Sequence, residues 1–456
     1  MNPEFQRNLW LELGPRRVLL MIVVLGLVFF AAAVTGGDFG PASLAQILYY
    51  LIVVVWGSRN AALSVVGEIR DRTWDAQRLS SLTPFEMMWG KLFGSTIYNW
   101  FGGAICLAVL LGYRFTQHDA ASVAISLVYY LAVGVIAQAA ALLASLVAVR
   151  RRLTHSRFDI FTYQLVGLIA AVAVFFVWEA ADPAGALLVG RKSTESVPWW
   201  GQTLDARSFL LVSLAIFTAW TLIGCYRLMR LELKMRNGPL VWLAFLGFIG
   251  LYVAGFDGWL TQRQATLRWD AVELRLGLAL TTYAVLTYLM VLLEPKDRVL
   301  YRWLGSRLGE GSIRSALWNL QAWMMSYFAA SIVAIALLVR LTATEGGFGA
   351  DASLLVSGMG CLTRDVSIFV LFQTLPGRRR GDFSAVIVLI ALYLVMPYIL
   401  RGMGLDAGLA YLYPQVTAPL WLGPVITWAE AIVVAAVAIG RIALSERAES
   451  REPALA

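Results

Sequence analysis

The sequence is poor in charge, because Asp, Glu, Lys and Arg together make up 14% of its 456 residues. Soluble domains are about 25% charged and about 45–50% apolar, whereas 59% of this chain belongs to the apolar set. The difference excludes an ordinary soluble protein. It also excludes intrinsic disorder, which requires low hydrophobicity.

Cysteine and histidine are scarce as well. The three cysteines, Cys106, Cys225 and Cys361, lie in apolar stretches, so no disulfide framework is expected. The two histidines, His118 and His155, are too few for a histidine-rich metal site, and no HExxH motif is present. We therefore predict no metal site. The net charge of +8 indicates Lys and Arg on cytoplasmic loops rather than a nucleic-acid partner.

A phosphate-binding loop of the form GxxxxGK[ST] is also missing. In the Gly90-Lys91 pair, the next residue is Leu92, and Phe85 stands where the first glycine of the motif would be. The chain also has no polar segment large enough for a soluble ATPase domain. We therefore expect no enzymatic activity in this chain and no cofactor of its own.

Long apolar runs are what the sequence has in abundance. A run of about 20 apolar residues crosses a bilayer as a helix, because only internally hydrogen-bonded backbone is stable in lipid. The sequence predicts an all-α polytopic membrane protein with about 12 transmembrane helices. We expect them at 18–35, 42–66, 91–112, 121–149, 158–180, 208–226, 238–256, 271–293, 317–339, 352–374, 384–400 and 420–440.

The N-terminal 17 residues mix charge with apolar positions on one helical stripe, formed by Phe5, Leu9, Trp10 and Leu13. A signal peptide would instead begin with a short apolar region and end at a cleavage site with small residues. We predict a helix lying in the membrane interface, followed by the first transmembrane helix.

The distribution of Lys and Arg gives the orientation. Of 37 basic residues, 26 fall on the segments that share a side with the N-terminus, and the bias has the same sign in both halves of the chain. With an even number of spans, the N- and C-termini are both predicted to be cytoplasmic. We expect an integral protein of a bacterial cytoplasmic (inner) membrane.

The predicted spans divide into two sets of six. Each set has a long inner segment after its second span, at 67–90 and 294–319, and an arginine cluster after its fourth, at 150–152 and 378–380. We predict a first six-helix half at 1–235 and a diverged second half at 236–456. This pattern leaves open whether one chain forms a pseudo-dimer or two chains form a homodimer.

Residues 67–94, GEIRDRTWDAQRLSSLTPFEMMWGKLFG, form a charged interruption directly after the second span. The segment combines an acidic-basic cluster, a Thr followed by an acidic residue, a Leu-rich turn, Thr-Pro and Gly-Lys-Leu. In order, spacing and position it resembles the conserved cytoplasmic segment of ABC-2-type transporter permeases. The matching residues are Glu68, Arg70, Arg72, Thr73, Asp75, Leu79, Leu82, Thr83, Pro84, Gly90, Lys91 and Leu92. Trp74 departs from the family pattern, which commonly has a small residue there.

This resemblance implies the membrane subunit of an ATP-driven exporter. The segment would be a coupling helix that docks on a separately encoded ATPase subunit, and that partner would bind ATP and Mg. The residues themselves predict a helix from Glu68 to Leu82, with Thr83-Pro84 as its stop and restart. The expected partner-binding residues are Glu68, Arg70, Arg72, Thr73, Trp74, Asp75, Arg78, Leu79, Leu82 and Pro84.

Trp74 offers a large anchor for such a partner, and Leu79 and Leu82 offer apolar contacts, while the charged residues would fix register. The second half has the segment EPKDRVLYRWLGSRLGEGSIRSALWN in the matching place, without the Thr-acidic and Thr-Pro elements. In the second half of the chain, the candidate residues for contact with the ATPase subunit are therefore Arg298, Arg302 and Arg307.

Polar residues within the predicted spans are candidates for a translocation path or gate, because an ionisable group in a bilayer is costly. Arg364 and Asp365 lie near the middle of the tenth span, and Arg59 and Asn60 lie late in the second. Consecutive helical residues point about 100° apart. Arg364 and Asp365 therefore need not pair with each other, and contacts to other helices are expected.

Two other functions stay open. An ion-coupled secondary transporter would show several buried carboxylates, and Asp365 is the one convincing example in the sequence. A membrane enzyme acting on lipid-linked substrates would need a catalytic cluster in a large loop, whereas the loops here are short and poor in histidine. The transported substrate does not follow from the sequence.

Overall fold

The computed structural model describes residues 2–35, 40–116, 120–150, 157–181, 196–258, 269–295, 298–344, 346–374, 381–405, 409, 412–414 and 419–449. Within these ranges the chain packs as two compact units. The first unit comprises Met1–Val197 and Thr203–Asn237, and the second comprises Pro198–Gln202 and Gly238–Ala456. The main change of unit thus falls between Asn237 and Gly238. The correspondence between the two predicted six-helix halves stays a prediction.

The first unit is built from nine helices and most of a short hairpin, among the residues described. They are α1 (Pro3–Glu12), α2 (Pro15–Thr35), α3 (Pro41–Arg70), α4 (Trp74–Arg78), α5 (Pro84–Gly94), α6 (Ile97–Phe115), α7 (Ala120–Arg150), α8 (Arg157–Ala181), β1 (Ser196–Trp199), β2 (Gln202–Asp205) and α9 (Ala206–Glu232). Two of these helices contain π-helical turns, at Tyr50–Trp56 in α3 and Gly90–Gly94 in α5.

The second unit follows the same all-helical plan. Its described elements are α10 (Leu240–Ala254), α11 (Ala271–Leu293), α12 (Arg298–Gly309), α13 (Ile313–Trp318), α14 (Ala322–Thr344), α15 (Ala350–Thr374), α16 (Phe383–Gly402) and α17 (Leu422–Glu449). A π-helical turn at Ala391–Val395 interrupts α16. The tip of the hairpin belongs to this unit, where the indole N–H of Trp199 donates to the carbonyl oxygen of Tyr252 at 3.0 Å.

Ten of the described helices are long and apolar enough to cross a membrane, and α5 with α6 makes an eleventh if this pair, bent by 52°, is one span. The seventh predicted span corresponds to α10, a shorter apolar helix of 15 residues. The prediction of an all-α polytopic membrane protein is therefore confirmed at this level. The large apolar side chains that remain exposed, such as Leu19 and Phe30 on α2, suit contact with lipid.

Local sequence signals explain where several helices begin. Asn2 caps α1 by accepting hydrogen bonds from the backbone N–H groups of Glu4 and Phe5. Thr83 and Glu86 form a capping box that starts α5, with Pro84 as its first residue. The predicted restart at Thr83-Pro84 is thus confirmed.

Two long helices are most deeply packed in their units. In the first unit, α7 buries small residues along its length, and α3 and α6 pack close beside it. A Cβ atom at Gly103 of α6 would lie 2.3 Å from Cγ2 of Val53, and one at Gly134 of α7 would lie 2.8 Å from Cγ1 of Val53. Small residues therefore let these helices approach closely. In the second unit, α15 packs along α17.

Candidate functional site

The segment between α3 and α5 does not form the single helix predicted from Glu68 to Leu82. Helix α3 ends at Arg70, and Arg72 adopts a left-handed conformation with φ of 59°. The Thr73 N–H donates to the Glu68 carbonyl oxygen at 2.9 Å, and the Arg72 N–H donates to that of Ile69 at 3.2 Å. This pair of bonds is a Schellman motif, which terminates a helix. The five-residue α4 follows as a separate turn.

Trp74 was expected to anchor a partner, but the structure buries its side chain to 4% exposure. It packs with Ala61 and Val65 of α3, Leu142 of α7 and Met229 of α9. A large indole at the start of α4 therefore fixes that short helix against the transmembrane core. It presents no surface to a partner in this conformation.

The outward face of the segment carries other predicted residues. The side chains of Asp75 and Leu79 are 90% and 89% exposed, and Arg72 is also exposed. Arg78 lies 3.4 Å from Asp75, whereas Leu82 is half-buried and packs on the cluster around Trp74. Arg70 is the last residue of α3, and Thr73 donates its hydroxyl to the Glu68 carbonyl oxygen at 3.2 Å. The surface that this segment offers to a partner is therefore a protruding loop with mixed charge and one apolar side chain.

Glu68 lies on the inner side of this loop, within a group of charged residues that we call the inner charge cluster: Glu4, Arg7, Glu68 and Lys91. Lys91 Nζ lies 2.8 Å from Glu4 Oε1 and also contacts Glu68 Oε1. Arg7 Nη2 lies 2.8 Å from Glu4 Oε1 and 2.9 Å from Glu68 Oε1. The two cations and two carboxylates balance, which makes burial of Lys91 to 1% exposure tolerable.

The inner charge cluster joins three parts of the chain that are distant in sequence. Glu4 and Arg7 belong to α1, Glu68 to the end of α3, and Lys91 to α5. Gln77 of α4 adds a hydrogen bond to Glu68 Oε1 at 2.5 Å. Lys91 belongs to the sequence motif, whereas Glu4 and Arg7 were not among the predicted site residues. A lysine at the start of an apolar run is the signal that a nearby carboxylate was needed.

The second-half segment forms α12 and α13, which are separated by a turn at Glu310–Ser312. Arg307 Nη1 lies 3.0 Å from Glu310 Oε2, and its guanidinium lies 5.6 Å from the ring centre of Trp303. Arg302 lies one turn earlier on α12. Arg298 begins this helix, and its side chain lies outside the described residues.

Arg59 and Asn60 lie in the first unit, where they have different surroundings. Arg59 is exposed, whereas the Asn60 amide donates to Asn99 Oδ1 at 2.8 Å. Asn99 in turn donates to the carbonyl oxygen of Ile52 at 2.9 Å. Asn60 is therefore part of the packing between α3 and α6.

Asn99 belongs to a set of three amide side chains that hydrogen-bond the π-helical turn of α3. Gln138 of α7 donates to the Val53 carbonyl oxygen at 3.0 Å, and Gln164 of α8 donates to that of Val55 at 2.9 Å. Three neighbouring helices thus each supply a donor to the same seven-residue stretch. Side-chain donors of this kind stabilise irregular backbone at membrane depth. None of these three amides was among the predicted site residues.

Arg364 and Asp365 are buried in the second unit. They belong to a group of side chains that we call the Arg364 cluster: Tyr288, Arg364, Asp365, Tyr393 and Glu430. Although these neighbours were not required to pair, Arg364 Nε lies 3.2 Å from Asp365 Oδ1. The expected contacts to other helices are also present. Arg364 donates to Glu430 Oε2 at 2.5 Å and to the Tyr393 hydroxyl at 2.7 Å, and also to the Leu412 carbonyl oxygen at 3.4 Å.

Asp365 accepts hydrogen bonds from the hydroxyls of Tyr288 at 2.8 Å and Tyr393 at 2.7 Å. The cluster therefore joins α11, α15, the π-helical turn of α16, and α17. Glu430 was not among the predicted site residues, although it lies near the middle of the predicted span 420–440. Its position two residues after Trp428 in an apolar run was the available signal.

The comparisons with known proteins add no relative. No protein-family model, curated protein or solved structure matches this chain. Within the described residues, no group of three or more His, Cys, Asp or Glu side chains is arranged to hold a metal ion.

Proposed function

We propose that this chain is the membrane-spanning permease subunit of an ATP-driven exporter of the ABC-2 type, with twelve spans and both termini in the cytoplasm of a bacterial cell. A separate ATPase subunit would bind ATP and Mg. The observation that carries the proposal is the charged segment after the second span. Its surface presents Asp75 and Leu79, while Glu68 and Trp74 fasten it to the bundle.

Such an arrangement suits the transmission of force. We call residues 71–83, between α3 and α5, the α4 loop. A partner that pushes on this loop also pushes on the inner charge cluster, because Gln77 of the loop and Lys91 both contact Glu68. That cluster in turn holds α1 to α5. Movement of the loop therefore reaches α1 and α5 at once, and such a displacement can bias a helix bundle between two states.

In the second half, contacts with an ATPase are proposed at α12, through Arg298 at its start and through Arg302 and Arg307. A single chain with two such segments supports a pseudo-dimer, and a homodimer is the other arrangement. The proposed candidates for a translocation path or gate are Arg59 and Asn60 within the first unit and, separately, Arg364 and Asp365 within the second.

Co-purification of the full-length chain with a separately encoded ATPase subunit tests this proposal. The expected result is a stoichiometric complex that Leu79→Ser weakens. Leu405→Ser, an exposed leucine on the predicted outer side, is the matched control and should leave the complex intact. Recovery of the chain without any ATPase, together with transport driven by an ion gradient, would contradict the proposal.

An ion-coupled secondary transporter is the second candidate. It is favoured by one observation, the presence of Glu430 beside Arg364 and Asp365. Two carboxylates at one place in the membrane-spanning helices are typical of ion-coupled transport. Proteoliposomes containing the chain alone would then accumulate substrate when a proton or sodium gradient is imposed, without ATP.

A further inference from the structure

Helix α13 carries apolar side chains on its exposed side. Ile313, Leu317 and Trp318 are 58%, 54% and 51% exposed, and Arg314 is exposed as well, whereas Ala316 is buried. Successive residues of a helix are about 100° apart, so the four exposed positions share one arc of about 140°. A helix that borders water has polar residues on such an arc. The exposed arc of α13 therefore suits an apolar neighbour.

The position of α13 is fixed at the ends of apolar helices of the second unit. Three residues separate Trp318 from Ala322, the first residue of α14. The Gln321 amide donates to the carbonyl oxygen of Pro295, just after α11, at 2.9 Å. A Cβ atom on Gly238, just before α10, would lie 3.4 Å from Cζ2 of Trp318. Since α11 and α14 are long and apolar enough to cross a membrane, α13 lies where their apolar stretches meet the membrane surface.

The charge around the exposed arc is positive. Residues 298–318 include four arginines and one glutamate. On the arc itself, Arg314 precedes Trp318 by one turn of helix. Arginine and tryptophan beside aliphatic residues are typical of a helix that lies in the membrane interface, and basic groups at that depth attract anionic lipid headgroups.

The exposed apolar surface also continues from α13 into the membrane-spanning helix. Beyond Ala322, α14 exposes Phe328 and Ile332, which suit contact with lipid. The α4 loop offers a different surface, because the exposed Leu79 shares it with the exposed carboxylate of Asp75. The four positions of the α13 arc hold three apolar residues and one arginine, which match an anionic lipid surface.

We infer that α13 lies in the interface of the membrane that the chain spans. Ile313, Leu317 and Trp318 insert beside the lipid chains, and Arg314 binds the anionic headgroups. The ATPase contacts proposed for the second half lie on α12, so the lipid contact of α13 is a property of the chain alone. It holds whether or not an ATPase subunit binds.

The test measures how deeply α13 lies in the bilayer. The three native cysteines are replaced by alanine in the full-length chain, and a nitroxide label is attached to Leu317→Cys. The protein is placed in nanodiscs of phosphatidylcholine and phosphatidylglycerol without an ATPase. Power-saturation EPR then gives the ratio of collisions with oxygen, which enriches in lipid, to collisions with a water-soluble nickel chelate. Leu79→Cys is the matched control for water, and Ile332→Cys is the control for lipid, since both leucine and isoleucine are exposed in the structure.

We expect the oxygen-to-nickel ratio at residue 317 to be several-fold higher than at residue 79 and lower than at residue 332. Arg314→Gln, or nanodiscs of phosphatidylcholine alone, should lower the ratio at 317 and leave that at 332 unchanged. Should Leu317→Cys not fold, Ile313→Cys is measured in its place. Equal ratios at 317 and 79 overturn the inference, including the case in which an added ATPase protects residue 317 and thereby identifies α13 as a protein contact. A ratio at 317 that neither Arg314→Gln nor neutral lipid changes overturns the contact with anionic headgroups.

Discussion

Lys91 Nζ lies 2.8 Å from Oε1 of Glu4, which joins α5 to the N-terminal helix α1. These two residues are 87 positions apart in the sequence, and each side chain is almost completely buried. The ammonium group also lies 6.0 Å from the ring centre of Trp74. This contact therefore fastens α1, α5 and the base of the α4 loop into one body.

Replacing Lys91 by Met should strongly destabilise the protein. The substitution keeps the length of the side chain but leaves Glu4 and Glu68 with Arg7 as their one cation in the cluster. Removing one partner of a buried ion pair costs about 3–5 kcal/mol. Because Glu68 and Arg7 are partly exposed, we expect a loss at the lower end of this range, about 3 kcal/mol. The measurement is thermal unfolding of the purified protein in one detergent.

Lys234→Met is the matched control, because Lys234 is exposed and its loss should change stability by less than about 0.5 kcal/mol. The exchange Glu4→Lys with Lys91→Glu restores the charge balance and should recover part of the loss. A fall in melting temperature that is equal for Lys91→Met and Lys234→Met would show that the inner charge cluster contributes no stability.

Substitutions on the exposed face of the α4 loop should impair binding of the proposed partner without lowering stability. Asp75→Arg combined with Arg72→Gly changes the charge of the loop, and glycine accommodates the left-handed conformation of residue 72 without strain. We expect the melting temperature to stay the same or rise slightly, while binding of the proposed ATPase is lost. Co-purification and thermal unfolding of the same preparation separate the two effects. If the double variant bound the ATPase and transported substrate as well as the wild type does, Asp75 would have no role in coupling.

The sequence could predict the parts of the fold that depend on composition and local signals. Long apolar runs require helices in lipid, and Thr83-Pro84 specifies a helix start from a few neighbouring residues. The burial of Trp74 could not be predicted, because it depends on α7 and α9, which lie far away in the chain. The role of Gln138 could not be predicted for the same reason, since its acceptor is a backbone carbonyl 85 residues away.

The ion pair between Asp270 and Arg340 should make stability depend on pH. A hydrogen bond from the Arg340 guanidinium holds the pKa of Asp270 below its ordinary value, and the backbone N–H of Glu273 adds to this effect. The contribution is therefore present above the ordinary aspartate pKa of about 3.9 and is lost as the pH falls through the lower folded-state pKa.

Asp270→Asn keeps a side chain that can cap α11 but removes the charge. The difference in melting temperature between wild type and Asp270→Asn should thus be largest near neutral pH and shrink in strong acid. Arg340→Gln should remove the same pH-dependent contribution to stability. A difference that is constant from pH 7 to the acid limit would show that the ion pair does not contribute.

Gly57, which directly follows the π-helical turn of α3, should tolerate no side chain. A Cβ atom there would lie 2.4 Å from Nε2 of Gln138, the amide that holds the Val53 carbonyl oxygen. Gly57→Ala must displace this amide, and overpacking of this kind costs about 1–3 kcal/mol. Gly67 of the same helix has no neighbour within 4 Å of such a Cβ. Gly67→Ala should therefore stabilise by about 0.5–1 kcal/mol through helix propensity.

A double-mutant cycle with Gln138→Ala tests the assignment of the clash. Gln138→Ala alone should destabilise, since it leaves the Val53 carbonyl and the Trp100 indole N–H without this partner. Once the amide is gone, Gly57→Ala should cost less than in the wild type, with a coupling energy of about 0.5–3 kcal/mol. Strict additivity of the two substitutions would mean that Gly57 is required for a reason other than its contact with Gln138.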